Sequence, residues 1–302
     1  MSIPVMVLAH SRPQFTRQVL AAASAAKPSA ILFVVDGARD GHGEDEAVAA
    51  VRDLFHEFEW DCPADTLFFQ ENVGVRAAMT QGLDLFFASH AAGAILEDDC
   101  LPAPGFFKFV EAALDKYVAE PNVGMISGTN MLVRSSKSAS EAFFSEGHIW
   151  GWATWRDRWQ NHRAEDLKLS DVRNAPRYYG IGWPYRRRLI ERSERDELNS
   201  WAIPWLYHLA EHMQYCLIPP HNLVRNVGHS EQGTHTSGAS RYSNLVVGGG
   251  ATDIGLPDKV VPNREYQRRY AIGLQLESFI HRARRPLVHF ARRLLQLVRT
   301  RS

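Results

Sequence analysis

The sequence predicts an α/β protein, a mostly parallel sheet flanked by helices with a basic helical tail behind it. Three observations predict it. Through the first 130 residues, short apolar runs take turns with segments of helical periodicity. The apolar runs lack polar alternation, as strands covered on both faces do. Acids stand directly after several of these runs, at the strand ends where such sheets place their ligands.

Each element has a local reason. Residues 3–9 are almost wholly apolar and read as the first strand. Pro13 opens a helix to about Ala26, and Pro28 follows its end, because proline suits a first helical turn and cannot continue one. Residues 31–35 form the second strand, closed by Asp36-Gly37. Over 44–58, Val48, Val51, Leu54, Phe55 and Phe58 fall at helical spacing. Residues 66–69 are the third strand and 75–88 the next helix. Residues 94–96 are the fourth strand, ending in Glu97-Asp98-Asp99. A helix over 106–117 and a fifth strand over 123–127 complete this half. Beyond it, seven of eight tryptophans lie between Trp150 and Trp205, and 198–213 reads as a buried helix. Residues 228–255 hold seven of the 21 glycines among serines and threonines, a long loop of the kind that serves as a lid.

Composition bounds the function. In 302 residues, 45% are hydrophobic and 23% charged, which excludes a disordered chain, a collagen or a coiled coil. Lys+Arg and Asp+Glu are both 34, so overall charge gives no case for nucleic-acid binding. The balance hides an asymmetry: residues 264–302 carry ten arginines against Glu265 and Glu277, a net +8, and the remainder is −8. Cys62, Cys100 and Cys216 are odd in number and far apart, which argues against a disulfide framework and suits a reducing compartment. The start MSIPVMVLAHSRP has no basic leader pattern, and no run of about 18 apolar residues occurs, so a cytoplasmic protein is expected. Pro286 divides the tail, and 287–301 is a basic amphipathic helix suited to the inner, anionic membrane surface. Packing on its own domain or on a partner is the alternative.

The chemistry concentrates in AILEDDCLPAPGFF. Three like charges at one point are costly unless a cation relieves them. Hard oxygen ligands select Mg²⁺ or Mn²⁺, which typically bridge carboxylates to substrate phosphates. An acidic turn capping the next helix is the plainer reading of the acids alone.

The strand, the acids and the Pro-x-Pro-Gly-Phe-Phe after them together resemble the DxD motif of GT-A glycosyltransferases, Rossmann-like nucleotide-diphospho-sugar transferases. The pattern is similar to family-2-like bacterial members and to the N-glycan N-acetylglucosaminyltransferase. That resemblance implies Asp99 as ligand of Mn²⁺ or Mg²⁺, Asp98 at the ribose and Glu97 at the transferred sugar. VLAHSRP resembles the first nucleotide-contacting loop, with Arg12 near base or phosphates; VVDG resembles the site where an acid, here Asp36, accepts the uracil N3–H. Glu71-Asn72-Val73-Gly74-Val75-Arg76 resembles the helix start beside the base, with Asn72 as a contact and Arg76 as added positive charge. IWGWATW and SWAIPW resemble donor- and acceptor-facing segments, which makes Trp152 and Trp201 candidates for sugar stacking. His235 in the glycine-rich loop would reach the metal or diphosphate.

The implied organisation is a GT-A domain over 1–262, with a nucleotide-binding half at 1–130 and an acceptor-side half with the lid at 131–262, then the tail at 263–302. The implied reaction is metal-dependent hexosyl or N-acetylhexosaminyl transfer from a UDP-linked donor to a glycan or lipid-linked acceptor, as in polysaccharide biosynthesis. One departure matters: Ala202 stands where inverting relatives carry the catalytic aspartate. Asp196 and Glu197, about one turn before Trp201, are the replacement candidates for general base, with Glu231 a third. Ala202 also supports a non-catalytic nucleotide-sugar or carbohydrate-binding module. A sugar-nucleotide pyrophosphorylase is disfavoured, since the loop AHSRPQF lacks the glycines that seize a triphosphate.

Overall fold

A computed structural model describes residues 3–132, 140–228 and 254–276. β1 (Val5–Ala9) leads through Arg12 into α1 (Pro13–Ala25), where Pro13 occupies the first turn and Thr16, Val19, Leu20 and Ala23 form the buried stripe. β2 (Ile31–Val35) is followed by α2 (Asp45–Asp53), whose chain continues into a 3₁₀ turn at Leu54–Glu57. β3 (Ala64–Phe68) precedes α3 (Gly74–Ser89). β4 (Ala92–Glu97) runs into a tight turn at Asp98 and Asp99 before the short β5 (Cys100–Pro102). α4 (Gly105–Tyr117) and β6 (Val123–Ser127) complete the first half. The second half contains β7 (Phe143–Ser145), β8 (Trp152–Trp155), α5 (Arg156–Ala164), α6 (Ala175–Tyr179), α7 (Trp183–Glu194), α8 (Ala202–Glu211), β9 (Tyr215–Ile218) and β10 (Val224–Asn226). A last helix, α9, covers 264–276. No helix of the described residues is long and apolar enough to cross a membrane.

The main sheet has the order β3-β2-β1-β4-β8-β6-β9-β7. β3, β2, β1 and β4 run parallel, and β6 and β9 are parallel to each other; β8 is antiparallel to β4 and β6, and β7 to β9. The fold is therefore mixed α/β with a mostly parallel central sheet. Val5 pairs with Ile31 on one side and Ala94 on the other. The chain winds outward from β1 to β3 and re-enters on the opposite side of β1 with β4. That reversal is a topological switch point, the kind of place where such sheets bind ligands, and β1 and β4 end side by side there. β5 leaves the sheet and pairs antiparallel with β10, setting Asn226 opposite Cys100.

Helices cover both faces, so β1 and β2 are buried at every position. Val5, Val7 and Ala9 join a core layer with Val19, Leu20, Phe106 and Val110; Met6 and Leu8 join the opposite layer with Met79, Leu83 and the tryptophans. In that second layer Trp152 stacks on Trp201 with centroids 5.2 Å apart, and Trp205 sits 5.9 Å from Trp152 and 5.7 Å from Trp159. This aromatic wedge joins β8, α5 and α8, and holds Trp152, Trp159, Trp201 and Trp205 of the second half's tryptophans; Trp155 lies in the opposite layer. Tyr266, Tyr270 and Leu274 of α9 are buried against the same layer.

The expected elements of the first half all form, with ends displaced by a few residues. α8 is shorter than the 198–213 run suggests. The Leu198 and Ser200 carbonyls accept from the Arg76 guanidinium, Nη2 and Nε respectively, and Met213 adopts φ +54 just past the helix end. Replacing the wholly buried Trp205 by alanine is expected to lower stability by about 3–5 kcal/mol in urea unfolding; a loss below about 1 kcal/mol would show that the wedge does not hold α8.

Candidate functional site

Arg12 and the acids after β4 meet at the switch point. Arg12 ends the loop after β1, and its guanidinium crosses to the β4–β5 turn. Nε donates to Asp98 Oδ2 at 3.2 Å, Nη2 donates to Asp98 Oδ1, and Nη1 donates to Asp99 Oδ2 at 3.0 Å. The His10 backbone N–H also donates to Asp98, whose carboxylate is only 5% exposed. Asp99 Oδ1 accepts from Asn226 Nδ2 at 3.2 Å and from the Cys100 thiol at 3.4 Å. Glu97 accepts from the Trp201 indole. Val227 N–H donates to the Asp99 carbonyl at 2.8 Å, which seats the strand end of β10 on the turn. A Cβ on Gly228 would lie 2.5 Å from Asp99 Oδ2 and 2.8 Å from Arg12 Nη1, so a residue without a side chain is what lets this segment lie so close.

Three carboxyl groups here face one guanidinium. Burial, then the charges of Asp99 and Asp98, push Glu97 up to about 8, against the pull of Arg12 and Trp201. Burial raises Asp98 as well, and Arg12 opposes it. The cluster is thus short of positive charge, and its donors are hard oxygens. Both features fit a divalent cation of the Mg²⁺ or Mn²⁺ class. Of the two aspartates Asp99 is the more accessible, with 18% of its side chain exposed.

Beside this cluster, Asp36 closes β2 with a saturated carboxylate. Oδ1 accepts from the backbone N–H of Gly37 at 2.8 Å and Val73 at 2.9 Å; Oδ2 accepts from Gly74 N–H and Asn72 Nδ2, each at 3.0 Å. Asn72 Nδ2 and His10 Nε2 both reach the Gly37 carbonyl, at 2.8 and 2.9 Å. Asp36 therefore shapes the 71–74 loop and the start of α3. The base contact implied by resemblance would require it to give up one of these donors. Gly37 permits the closeness: a Cβ there would lie 2.2 Å from the Glu71 backbone carbon.

The other candidates are engaged within the chain as follows. Arg12 points into the acidic turn, because buried carboxylates are the strongest acceptors within its reach. Arg76 is spent on the chain, donating to Asp196 Oδ1 at 3.1 Å, Ser193 Oγ at 3.1 Å and the carbonyls of Leu198 and Ser200. Asp196 is 86% exposed at its side chain and adopts φ +52. Glu197 pairs with Arg192 and Arg195 at 3.2 and 3.0 Å. Trp152 is 1% exposed and belongs to the aromatic wedge, so no ring face is offered to a sugar. Trp201 is buried too, with its indole N–H turned to Glu97. His235, Glu231, most of the glycine-rich loop and 287–301 lie outside the described residues. Asn226, Gly228 and His10 join the site without having been singled out, since only the β5–β10 pairing and the His10–Asp98 contact bring them there.

No protein-family model matches the chain, and no curated protein matches it in sequence. Among solved structures it is similar to the mannosyltransferase PcManGT from Pyrobaculum calidifontis in complex with GDP-Man and Mn²⁺, at 15% identity over 70% of each chain and TM-score 0.40. It is also similar to 4-diphosphocytidyl-2C-methyl-D-erythritol synthase from Anaerococcus prevotii, at 10% identity over 56% of this chain and 80% of that one, TM-score 0.35. A third is the inositol-1-phosphate CTP transferase from T. maritima, at 9% identity over 70% of this chain and 97% of that one, TM-score 0.31. Likenesses this weak decide nothing about the present chain.

The raised Glu97 carries a signed pH dependence. At low pH both folded and unfolded chains hold its proton. As pH rises toward about 8 the unfolded chain releases the proton that the folded chain keeps, so stability falls. Glu97→Gln is expected to be more stable than wild type by about 1–2 kcal/mol at pH ~8.5, and equal to it near pH ~4, in urea unfolding. The same offset at both pH values would remove the charge-crowding account.

Proposed function

We propose that the chain is a glycosyltransferase that moves a sugar from a nucleoside-diphosphate donor, UDP-linked, to an acceptor hydroxyl. The observation that carries the reading is the charge-deficient triad Glu97, Asp98 and Asp99 beside Arg12 at the switch point of an α/β sheet. Its resemblance to the DxD motif supplies the reaction class.

Asp99, with Asp98 behind it, would hold Mn²⁺ or Mg²⁺. When bound, that ion supplies Lewis-acid stabilisation of the charge that gathers on a leaving diphosphate. Arg12 is the chain's own positive charge for the same purpose. Glu97, oriented by the Trp201 indole, positions ring hydroxyls of the donor sugar. The Gly37 carbonyl and the Asn72 side chain form the polar edge beside which the base lies.

Asp196 is the proposed general base. It is accessible, and Arg76 ties it to the Ser200 carbonyl, next to the Trp201 that contacts Glu97. The acceptor oxygen forms the new bond to the anomeric carbon as the bond to the diphosphate oxygen breaks. The electron pair of that bond leaves with the diphosphate, and the acceptor proton passes to the Asp196 carboxylate. Glu197, held by two arginines, is the weaker candidate.

Wild-type protein is expected to bind UDP in the presence of Mn²⁺ and not in EDTA, by isothermal titration. Asp99→Asn should weaken that binding at least tenfold, about 1.4 kcal/mol. Unchanged affinity would defeat the assignment of the acidic turn. Asp196→Asn is expected to lower transfer by about 10²–10⁴ while UDP affinity holds; full activity would move the base elsewhere. Tight UDP binding with no turnover of any sugar nucleotide would make the chain a binding module.

A further inference from the structure

A second cluster of metal-ligating side chains lies away from the acidic turn. Glu165 follows the last residue of α5. His208 and His212 stand four residues apart at the C-terminal end of α8, one helical turn, and so share a face. Glu165 Oε2 lies 2.7 Å from His212 Nε2 and 3.2 Å from His208 Nδ1. One donor atom from each of the three falls within 4.8 Å of the other two.

The middle ligand is the informative one. The His208 side chain is 2% exposed, yet its Nδ1 makes no hydrogen bond among the described residues. The polar atom it faces is the Glu165 carboxylate oxygen at 3.2 Å, which His212 also meets. A buried ring nitrogen that shares one carboxylate with a second imidazole has the arrangement of a ligand. The ring is fixed from behind: Trp205 lies parallel to it at 6.0 Å, and His162, one turn before Glu165, packs at 5.2 Å. Glu165 and His212 are 38% and 40% exposed, which gives an ion a way in from solvent.

We infer that Glu165, His208 and His212 form a binding site for one Zn²⁺ ion or a like borderline divalent transition metal. Two imidazoles and one carboxylate favour that class over Mg²⁺ or Ca²⁺. Metal–ligand bonds of about 2.0–2.1 Å place tetrahedral ligand atoms roughly 3.4 Å apart, so the two carboxylate–imidazole separations would open by a few tenths of an ångström or somewhat more. The site lies at the far end of α8 from Trp201, about 15 Å along the helix axis at 1.5 Å per residue, and so is separate from the acidic turn. The ion fastens the end of α5 to the end of α8 across the aromatic wedge.

The test uses the full chain, stripped with EDTA and dialysed metal-free, then titrated with ZnCl₂ against a chromophoric chelator. One Zn²⁺ per chain is expected, with Kd below about 1 μM. Glu165→Gln and His212→Ala alter half-exposed side chains, so folding is checked by circular dichroism and is expected to persist. Each should weaken Zn²⁺ at least tenfold, about 1.4 kcal/mol. Asp99→Asn should leave the zinc affinity unchanged. Co²⁺ added in place of Zn²⁺ should give visible d–d bands that vanish in His212→Ala. Absence of a site this tight in wild type, a loss smaller than tenfold in either variant, or loss in Asp99→Asn would each overturn the proposal.

Discussion

The pairing of Arg12 with Asp98 and Asp99 is the interaction on which the rest of the site depends. It joins the loop after β1 to the turn after β4, the two strands between which the sheet reverses its winding. Two adjacent acids at a strand end would repel each other and resist burial. One guanidinium with a rigid fork of donors meets both, bidentate on Asp98 and single on Asp99. The third acid, Glu97, takes the Trp201 indole N–H, and burial followed by the charges of Asp99 and Asp98 raises its proton affinity. A local deficit of positive charge is thereby built into the switch point of the sheet.

Around that pairing the chain uses polar groups to shape loops. Asp36 gathers four donors and bends 71–74 toward β2. Arg76 does the converse, collecting acceptors from 193–200 and fixing the approach to α8. Both lie in segments that resemble substrate-contacting ones. Their hydrogen bonds show how such a segment also has internal work: an Asp with every lone pair engaged sets the position of neighbouring groups more than it reads a ligand.

The parallel half of the fold was legible because β1, β2, β4 and β6 are largely apolar runs bounded by turn chemistry. Ile31–Val35 and Val123–Ser127 match the expected limits to the residue, and the turn after β4 is announced by its acids. The second half was opaque for a physical reason. β7, β8, β9 and β10 are three or four residues long and find their partners across the sequence, as Val224 does with Pro102. No local periodicity marks them. The partners of the site residues were hidden in the same way: Arg12 as counter-ion to acids 86 residues away, Trp201 as donor to Glu97, and Glu165 beside two histidines of another helix. Tryptophan density marked the wedge but not which faces it covers; burial of Trp152 answers that.

The β5–β10 ladder carries a consequence for any attempt to isolate a minimal module. A fragment ending near residue 132 would keep β1 to β4 and β6, Arg12 and every acid of the turn. It would lose Asn226 from Asp99, the Val227 amide from the Asp99 carbonyl and the indole from Glu97. The half that carries the acids keeps Arg12 but lacks these three partners from the second half. Dissection near residue 130 would cut through the site itself, so the two halves are better kept together.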